Sequence, residues 1–472
     1  MSAIAIDGAA IIADGTARIG SVLVEGSLIA GVAYAAEDRA GLCGRAAETL
    51  PGDGHWLMPG LIDGHAHGYG SLLRGTENSL PLELWALHTT LHGRAFDAAA
   101  MRSAILLGAA EKLRAGITGT LDHSPMQALA PDALAAHEAS GLRVAYAHFL
   151  HDLSDYDLLN LPLPPAVQGL VGGPPPLDAD RYTHDFADLV RQARGGSGRV
   201  SVQLGPNAPQ RCSPATWKLW RDLRDRHDVA VHTHLLETRA QASLNHRYPG
   251  GLVAEMARSG MLAGRLTCAH GVWLSEAEQA VLAGHGVTVS HNPASNLMLG
   301  SGVMNFASCA ACGLRLALGS DSANTGGRAD VFGLMRLAMM LPRRDGITWP
   351  DAQTVFAAAT QGGAAALGMG GQVGRIAPGQ RADLVLVQAH AAATLARDAG
   401  LAALVQHAGP EHVRTVLVDG RIVLRDGVIT AFDEAAVIRE AGVQISLLQE
   451  RVAPGLAIIQ AIMPELMQRF LT

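Results

Sequence analysis

With 472 residues, 49% of them hydrophobic and only 17% charged, the chain can bury a large core in more than one structural unit, which excludes an intrinsically disordered protein. Its formal net charge of -7, with scattered lysines and arginines, leaves no basic stripe for nucleic acid and points to a small-molecule partner. The five cysteines are too sparse for a disulfide framework, and no apolar stretch reaches the roughly 20 residues that a membrane span needs.

The N-terminal stretch MSAIAIDGAAIIADG lacks a basic segment and carries Asp7 and Asp14 inside its apolar run, so it is not read as a signal peptide and a cytoplasmic location is expected. Residues 1–58 read as short strands with Asp-Gly and Glu-Gly turns. The same texture returns in ADLVLVQ (382–388) and VRTVLVDGRIVLRDGVIT (413–430). Two β-rich ends around a different middle predict one small β-sandwich built from 1–58 and 372–430.

Between them, apolar runs alternate with helix-like stretches, the rhythm of a parallel α/β sheet. Eight such runs are present: 60–67, 116–123, 142–150, 200–207, 229–237, 266–274, 287–293 and 314–322. That inventory predicts a (β/α)8 barrel over 59–371. Residues 151–180, rich in Pro, Gly and Asp, read as a long loop near the barrel mouth. Residues 431–472 carry helical periodicity, with Ile438, Val443, Leu447 and Leu448 among the apolar positions and interruptions near Pro454 and Pro464. A packed helix and a dimer contact both fit this C-terminal segment.

Polar residues gather at the C-terminal ends of seven runs, where barrel enzymes carry their chemistry. His65 and His67, at i and i+2 of one strand, face the same side and can hold one ion. A hydrolytic site needs three or more protein ligands with a position left for water, and either His232 or His234, together with Asp321, can complete the set. Imidazole and carboxylate ligands suit zinc, with iron or manganese as the other candidates. Such an ion lowers the pKa of water to about 7. Glu237 is placed to shuttle protons and His270 to polarise the bond under attack. Arg74, Trp85, Asn207 and His291 are candidates for holding the substrate, Trp85 by stacking if it is not simply packing.

PGLIDGHAH, HTHLLET, AHGVWL, SHNPASNLMLGSG and LGSDSA, in this order, resemble the amidohydrolase superfamily. More narrowly they resemble the aminohydrolases that include guanine deaminase, S-adenosylhomocysteine deaminase and the triazine hydrolases. The resemblance implies that His65, His67, His234 and Asp321 bind a single divalent metal, Zn2+ first and Fe2+ second, and it selects His234 over His232. It implies a proton-transfer role for Glu237, and a contact of His270 with water and substrate. No lysine ends the fourth run, so a two-metal arrangement bridged by carbamylated lysine is not expected. Asn207 stands where related nucleoside deaminases have histidine, and SDSANTGG replaces the commoner TDGSASNN, which counts against a guanine- or adenosine-type substrate. The expected function is hydrolytic deamination of an amino-substituted heterocycle (purine, pyrimidine, pterin or triazine analogue), with cyclic-amide opening or displacement of chloride or alkylamine as the alternative. Asp321 is expected to serve as ligand and proton acceptor, and the family suggests a homo-oligomer such as a dimer.

Overall fold

A computed structural model describes residues 3–471 except 14, 162, 175, 345–347 and 390–399. Two nine-stranded sheets organise it. The first interleaves the two ends of the chain: His55–Pro59 lies between Ile4–Ala13, its parallel neighbour, and Leu384–Gln388, its antiparallel one. Hairpins extend this sheet on both sides, through Thr16–Glu25 and Leu28–Ala33 on one and Val413–Val418, Arg421–Arg425 and Val428–Ile429 on the other. Asp419 and Asp426, both with positive φ, sit with the following glycines in the turns between the last three strands, as the Asp-Gly pairs predict.

The second sheet is parallel throughout and contains all eight apolar runs in chain order. The eighth run is split: Arg315–Leu318 pairs with Thr288–His291, while Asp321–Ser322 swings back to pair with Leu61–His67, Asp321 opposite Ala66. The sheet therefore curls until its last run meets its first, the barrel closure that brings Asp321 beside the histidine pair. Gly319, in the gap of the split strand, makes this possible. A Cβ there would lie 2.4 Å from Asn292 Oδ1 and 2.9 Å from the His65 Cβ.

The segment read as one long loop contains two short helices, Asp155–Leu158 and Pro165–Val171. Their few residues escape periodicity, and the first begins at a Ser154 cap whose hydroxyl accepts from the Tyr156 N–H (3.2 Å). The C-terminal segment is a single helix, Glu434–Leu471, with Pro454 and Pro464 inside it. A proline costs an interior helix about 3 kcal/mol. Burial of Ala441, Leu448, Val452, Ile459 and Leu466 against the helices Leu82–Arg94 and Ala98–Arg114 offsets that cost. Leu448 faces this core, whereas Ile438, Val443 and Leu447 face outward. Among the described residues no helix is long and apolar enough to cross a membrane.

Candidate metal and active site

His65 and His67 reach the barrel interior from the last turns of the first strand, as i, i+2 geometry requires. His67 Nδ1 donates to the carbonyl of His123 (2.5 Å), and His234 Nδ1 donates to the carbonyl of Asn207 (2.6 Å). Each ring thus carries its proton on Nδ1 and turns the Nε2 lone pair inward. The two Nε2 atoms lie 3.4 Å apart, and Asp321 Oδ1 lies 3.4 Å from His67 Nε2 and 3.5 Å from His65 Nε2. Lone pairs facing each other at that distance repel unless a cation lies between them. For a tetrahedral ion with bonds of about 2.0–2.1 Å, ligand atoms stand about 3.3 Å apart, so these four side chains fit such an ion. The buried His65 Nε2, without a hydrogen-bond partner, is consistent with this arrangement.

His232 also faces the interior, but its Nε2 is engaged by His65 Nδ1 at 2.8 Å. It backs a candidate ligand and can fix its tautomer, as partners behind metal-bound histidines do. His123 is turned away similarly: its Nε2 donates to the carbonyl of Gly205 (3.0 Å), and burial lowers its pKa to about 3.

Glu237, completely buried, points toward the same centre, its Oε1 3.7 Å from His270 Nδ1. Burial, with the charges of Asp321 and Glu83 nearby, pushes its carboxyl well above the usual range. His270 Nδ1 donates to Asn296 Oδ1 (2.8 Å), leaving Nε2 directed toward Asp321 Oδ2 at 3.9 Å. Burial lowers the His270 pKa, against the pull of Asp321. For Asp321, burial opposes ionisation, yet His270 and His67 facing it hold its carboxyl below the ordinary value. The backbone at Leu236, His270 and Asp321 adopts positive φ (46°, 74° and 62°), a conformation costing on the order of 1–3 kcal/mol that tends to persist at functional positions.

His67, His234, Glu237, His270 and Asp321 line the floor of a cavity of about 480 Å3. Trp85 and Asn207 line it as well. The Trp85 Nε1–H is buried and has no hydrogen-bond partner among the described residues, so it is available to a ligand. Asn207 is held from both sides, its Nδ2 3.1 Å from His151 Nδ1 and its Oδ1 accepting from Arg211 Nη1 at 2.9 Å. The structure does not bring Arg74 and His291 to this cavity. Arg74 lies outside it on Glu111, drawn to the carboxylate one helix away. His291 is fully buried below the floor with its ring 5.5 Å from Phe306, and burial lowers its pKa to about 3.

Several lining residues escaped the sequence reading. Glu83 is buried at the start of the helix Leu82–Arg94 and accepts from Thr238 Oγ1 (2.5 Å). Asp155 and Arg211 pair inside the cavity although 56 residues separate them, in segments without a readable period. Asp63 does not line the cavity but supports the site from beneath, and it was within reach: it sits two residues before His65, and the same alternation turns it inward.

The model of the amidohydrolase family matches residues 56–423, and the chain belongs to that family. It is 33% identical over 449 residues to a 5'-deoxyadenosine deaminase of Methanothermobacter thermautotrophicus, covering 93% of this chain and 97% of that protein. It is 30% identical to a 5-methylthioadenosine/S-adenosylhomocysteine deaminase of Syntrophomonas wolfei, over 83% of this chain and 86% of that protein. Among solved structures, an adenosine deaminase from Xanthomonas campestris with bound zinc superposes with a TM-score of 0.84 at 28% identity, covering 95% of this chain and 98% of that one. The protein is thus a hydrolase of C–N bonds, of the kind that deaminates heterocycles, and a divalent metal goes with its site.

Proposed function

We propose that the protein is a mononuclear, zinc-dependent deaminase that replaces the amino group of a purine nucleoside of the adenosine type with oxygen and releases ammonia. The observation that carries this reading is the convergence of His65, His67, His234 and Asp321 at the separations of a tetrahedral ion, with the buried Glu237 across from them. The relatives' names favour an adenosine-type substrate. The unusual Asn207 does not oppose it, because this side chain is occupied by His151 and Arg211.

An ion held by these residues supplies Lewis acidity, making water a nucleophile at neutral pH. The chain's own groups do the remaining work. Glu237, whose carboxyl burial pushes toward the protonated form, gives its proton to the ring nitrogen next to the amino-bearing carbon as water attacks that carbon. Asp321 Oδ2 takes the proton that the water loses, and His270, oriented by Asn296, hydrogen-bonds the oxygen that is added. Asp321 passes that proton to the amino group, which leaves as ammonia, and the proton still on the added oxygen returns to Glu237, so substrate and water balance product and ammonia. The expected test is ammonia release from 5'-deoxyadenosine and adenosine by the zinc-loaded protein. Glu237→Gln should lose about 100- to 10,000-fold in kcat with zinc content unchanged. An unaltered kcat in that variant removes Glu237 from the mechanism, and silence on every aminopurine overturns the substrate class.

A further inference from the structure

Arg94 ends the helix Leu82–Arg94, and its side chain lines the cavity opposite the end where Glu83 stands. The two Cα positions lie about 16 Å apart along one helix, at 1.5 Å per residue. This helix crosses the cavity mouth: Glu83 meets Thr238 beside Glu237, Thr89 Oγ1 accepts from Asn324 Nδ2 (3.2 Å), and Gly93 lies near Met126 of the second barrel loop. The mouth therefore has a carboxylate near Glu237 and a guanidinium at its far side.

An arginine in the last turn of a helix is favourable without any ligand, because it faces the negative end of the macrodipole. Three observations separate Arg94 from that case. Among the described residues no carboxylate pairs with it, its side chain is exposed at the cavity edge, and its hydrogen bond is a long one, Nη1 to the carbonyl of Val171 at 3.3 Å. The other arginine of the cavity, Arg211, is neutralised by Asp155, so Arg94 is the lining guanidinium whose charge faces solvent and not a carboxylate. The guanidinium tip lies against Gly172, which has φ +66°: a Cβ there would stand 2.4 Å from Arg94 Nη1. The positive φ of Gly172 is what calls for glycine, and the missing side chain leaves space at the cavity edge that the guanidinium occupies.

We propose that Arg94 is the anion subsite of the substrate cavity, receiving a carboxylate or phosphate carried by the substrate on the side remote from the amino-bearing ring. This rests on the reading of the cavity as the aminopurine site and narrows it to nucleosides with an acidic substituent. A planar guanidinium can hold either anion through two parallel N–H···O bonds, so both sources share one chemistry.

The experiment compares kcat/KM for 5'-deoxyadenosine, which is uncharged at that end, with S-adenosylhomocysteine, which carries a carboxylate, and adenosine 5'-monophosphate, which carries a phosphate. In the wild-type enzyme at least one of the acidic probes should be preferred, and rising salt should erode the preference. Arg94→Gln should lower the acidic-to-neutral ratio about ten-fold, mainly through KM, and Arg94→Lys should restore part of it. A ratio that is the same in wild type and Arg94→Gln overturns the proposal, as does a wild-type preference for the uncharged probe. Should none of the probes release ammonia, the deaminase reading fails separately. Calorimetric binding of the same three probes to the two proteins then decides the subsite by the same ratio.

Discussion

Both carboxylate oxygens of Asp63 accept hydrogen bonds from Ser320, Oδ1 from the backbone N–H at 2.8 Å and Oδ2 from the hydroxyl at 2.7 Å. Asp63 precedes His65 by two residues on the first barrel strand, and Ser320 directly precedes Asp321 on the last. One buried side chain therefore ties together the two ends of the sheet where the candidate ligands converge, with Lys112 Nζ 3.1 Å away to balance its charge.

Removing that carboxylate should harm stability and metal binding to different degrees. Asp63→Ala strands Lys112 without its counter-ion, and denaturant unfolding should show a loss of about 3–5 kcal/mol. Asp63→Asn keeps the shape but turns one acceptor into a donor facing Ser320. Competition with a chromophoric chelator should then show zinc affinity reduced about 10- to 100-fold. An unchanged affinity in a stably folded Asp63→Asn protein would show that the tie does not position the ligands.

His232 and His234 alternate on one strand, and their substitutions should separate a ligand from its support. His234→Ala removes an Nε2 that faces His67 Nε2, so the purified variant should contain little zinc. His232→Ala removes only the partner of His65 Nδ1, so zinc should still bind, about 10- to 100-fold more weakly. Metal analysis of the two proteins after dialysis distinguishes them, and the reverse order of loss would exchange their roles.

Chelation should weaken the fold as well as silence it. Without a cation, the lone pairs of His67 and His234 face each other and the Asp321 carboxylate in a buried space. Stripping zinc should lower the unfolding midpoint, and free zinc at 100 times its dissociation constant should restore about 2.7 kcal/mol. A midpoint indifferent to zinc would mean that these four side chains do not share an ion in the folded state.

The barrel and its floor were legible because their signals are local and periodic. Seven of the eight runs are short apolar stretches with polar residues at their C-terminal ends, and His65-Ala66-His67 states by its own spacing that both imidazoles share a side. The walls of the cavity were not legible for the opposite reason. Asp155 meets Arg211, and Arg94 meets Gly172, across loops whose length and course no periodicity encodes. Arg74 illustrates the limit from the other side: the motif LLRG follows the histidines closely in sequence, but its arginine finds Glu111 on the neighbouring helix and leaves the cavity. The C-terminal prolines misled for an energetic reason, since the sequence displays their local cost and hides the apolar face that offsets it.

The junction of barrel and terminal sheet offers a prediction independent of the site. Arg143 opens the third barrel strand, Arg143–Leu150, and is 1% exposed. Its Nε and Nη2 reach Asp383 Oδ2 and Oδ1 at 2.7 and 3.0 Å, and Nη2 reaches Asp419 Oδ1 at 2.9 Å. Both aspartates belong to the sheet formed by the chain ends, Asp383 just before the strand Leu384–Gln388 and Asp419 in the turn after Val413–Val418. Arg143→Ala leaves the buried Asp383 unpaired and should cost about 3–5 kcal/mol in denaturant unfolding. Arg143→Lys retains the charge but cannot span both oxygens, so it should recover only part of that loss. Because this end of the strand lies away from the mouth, zinc content should not change in the folded fraction. Full stability in Arg143→Ala would show that the apolar contacts between the two sheets hold the junction without the ion pair.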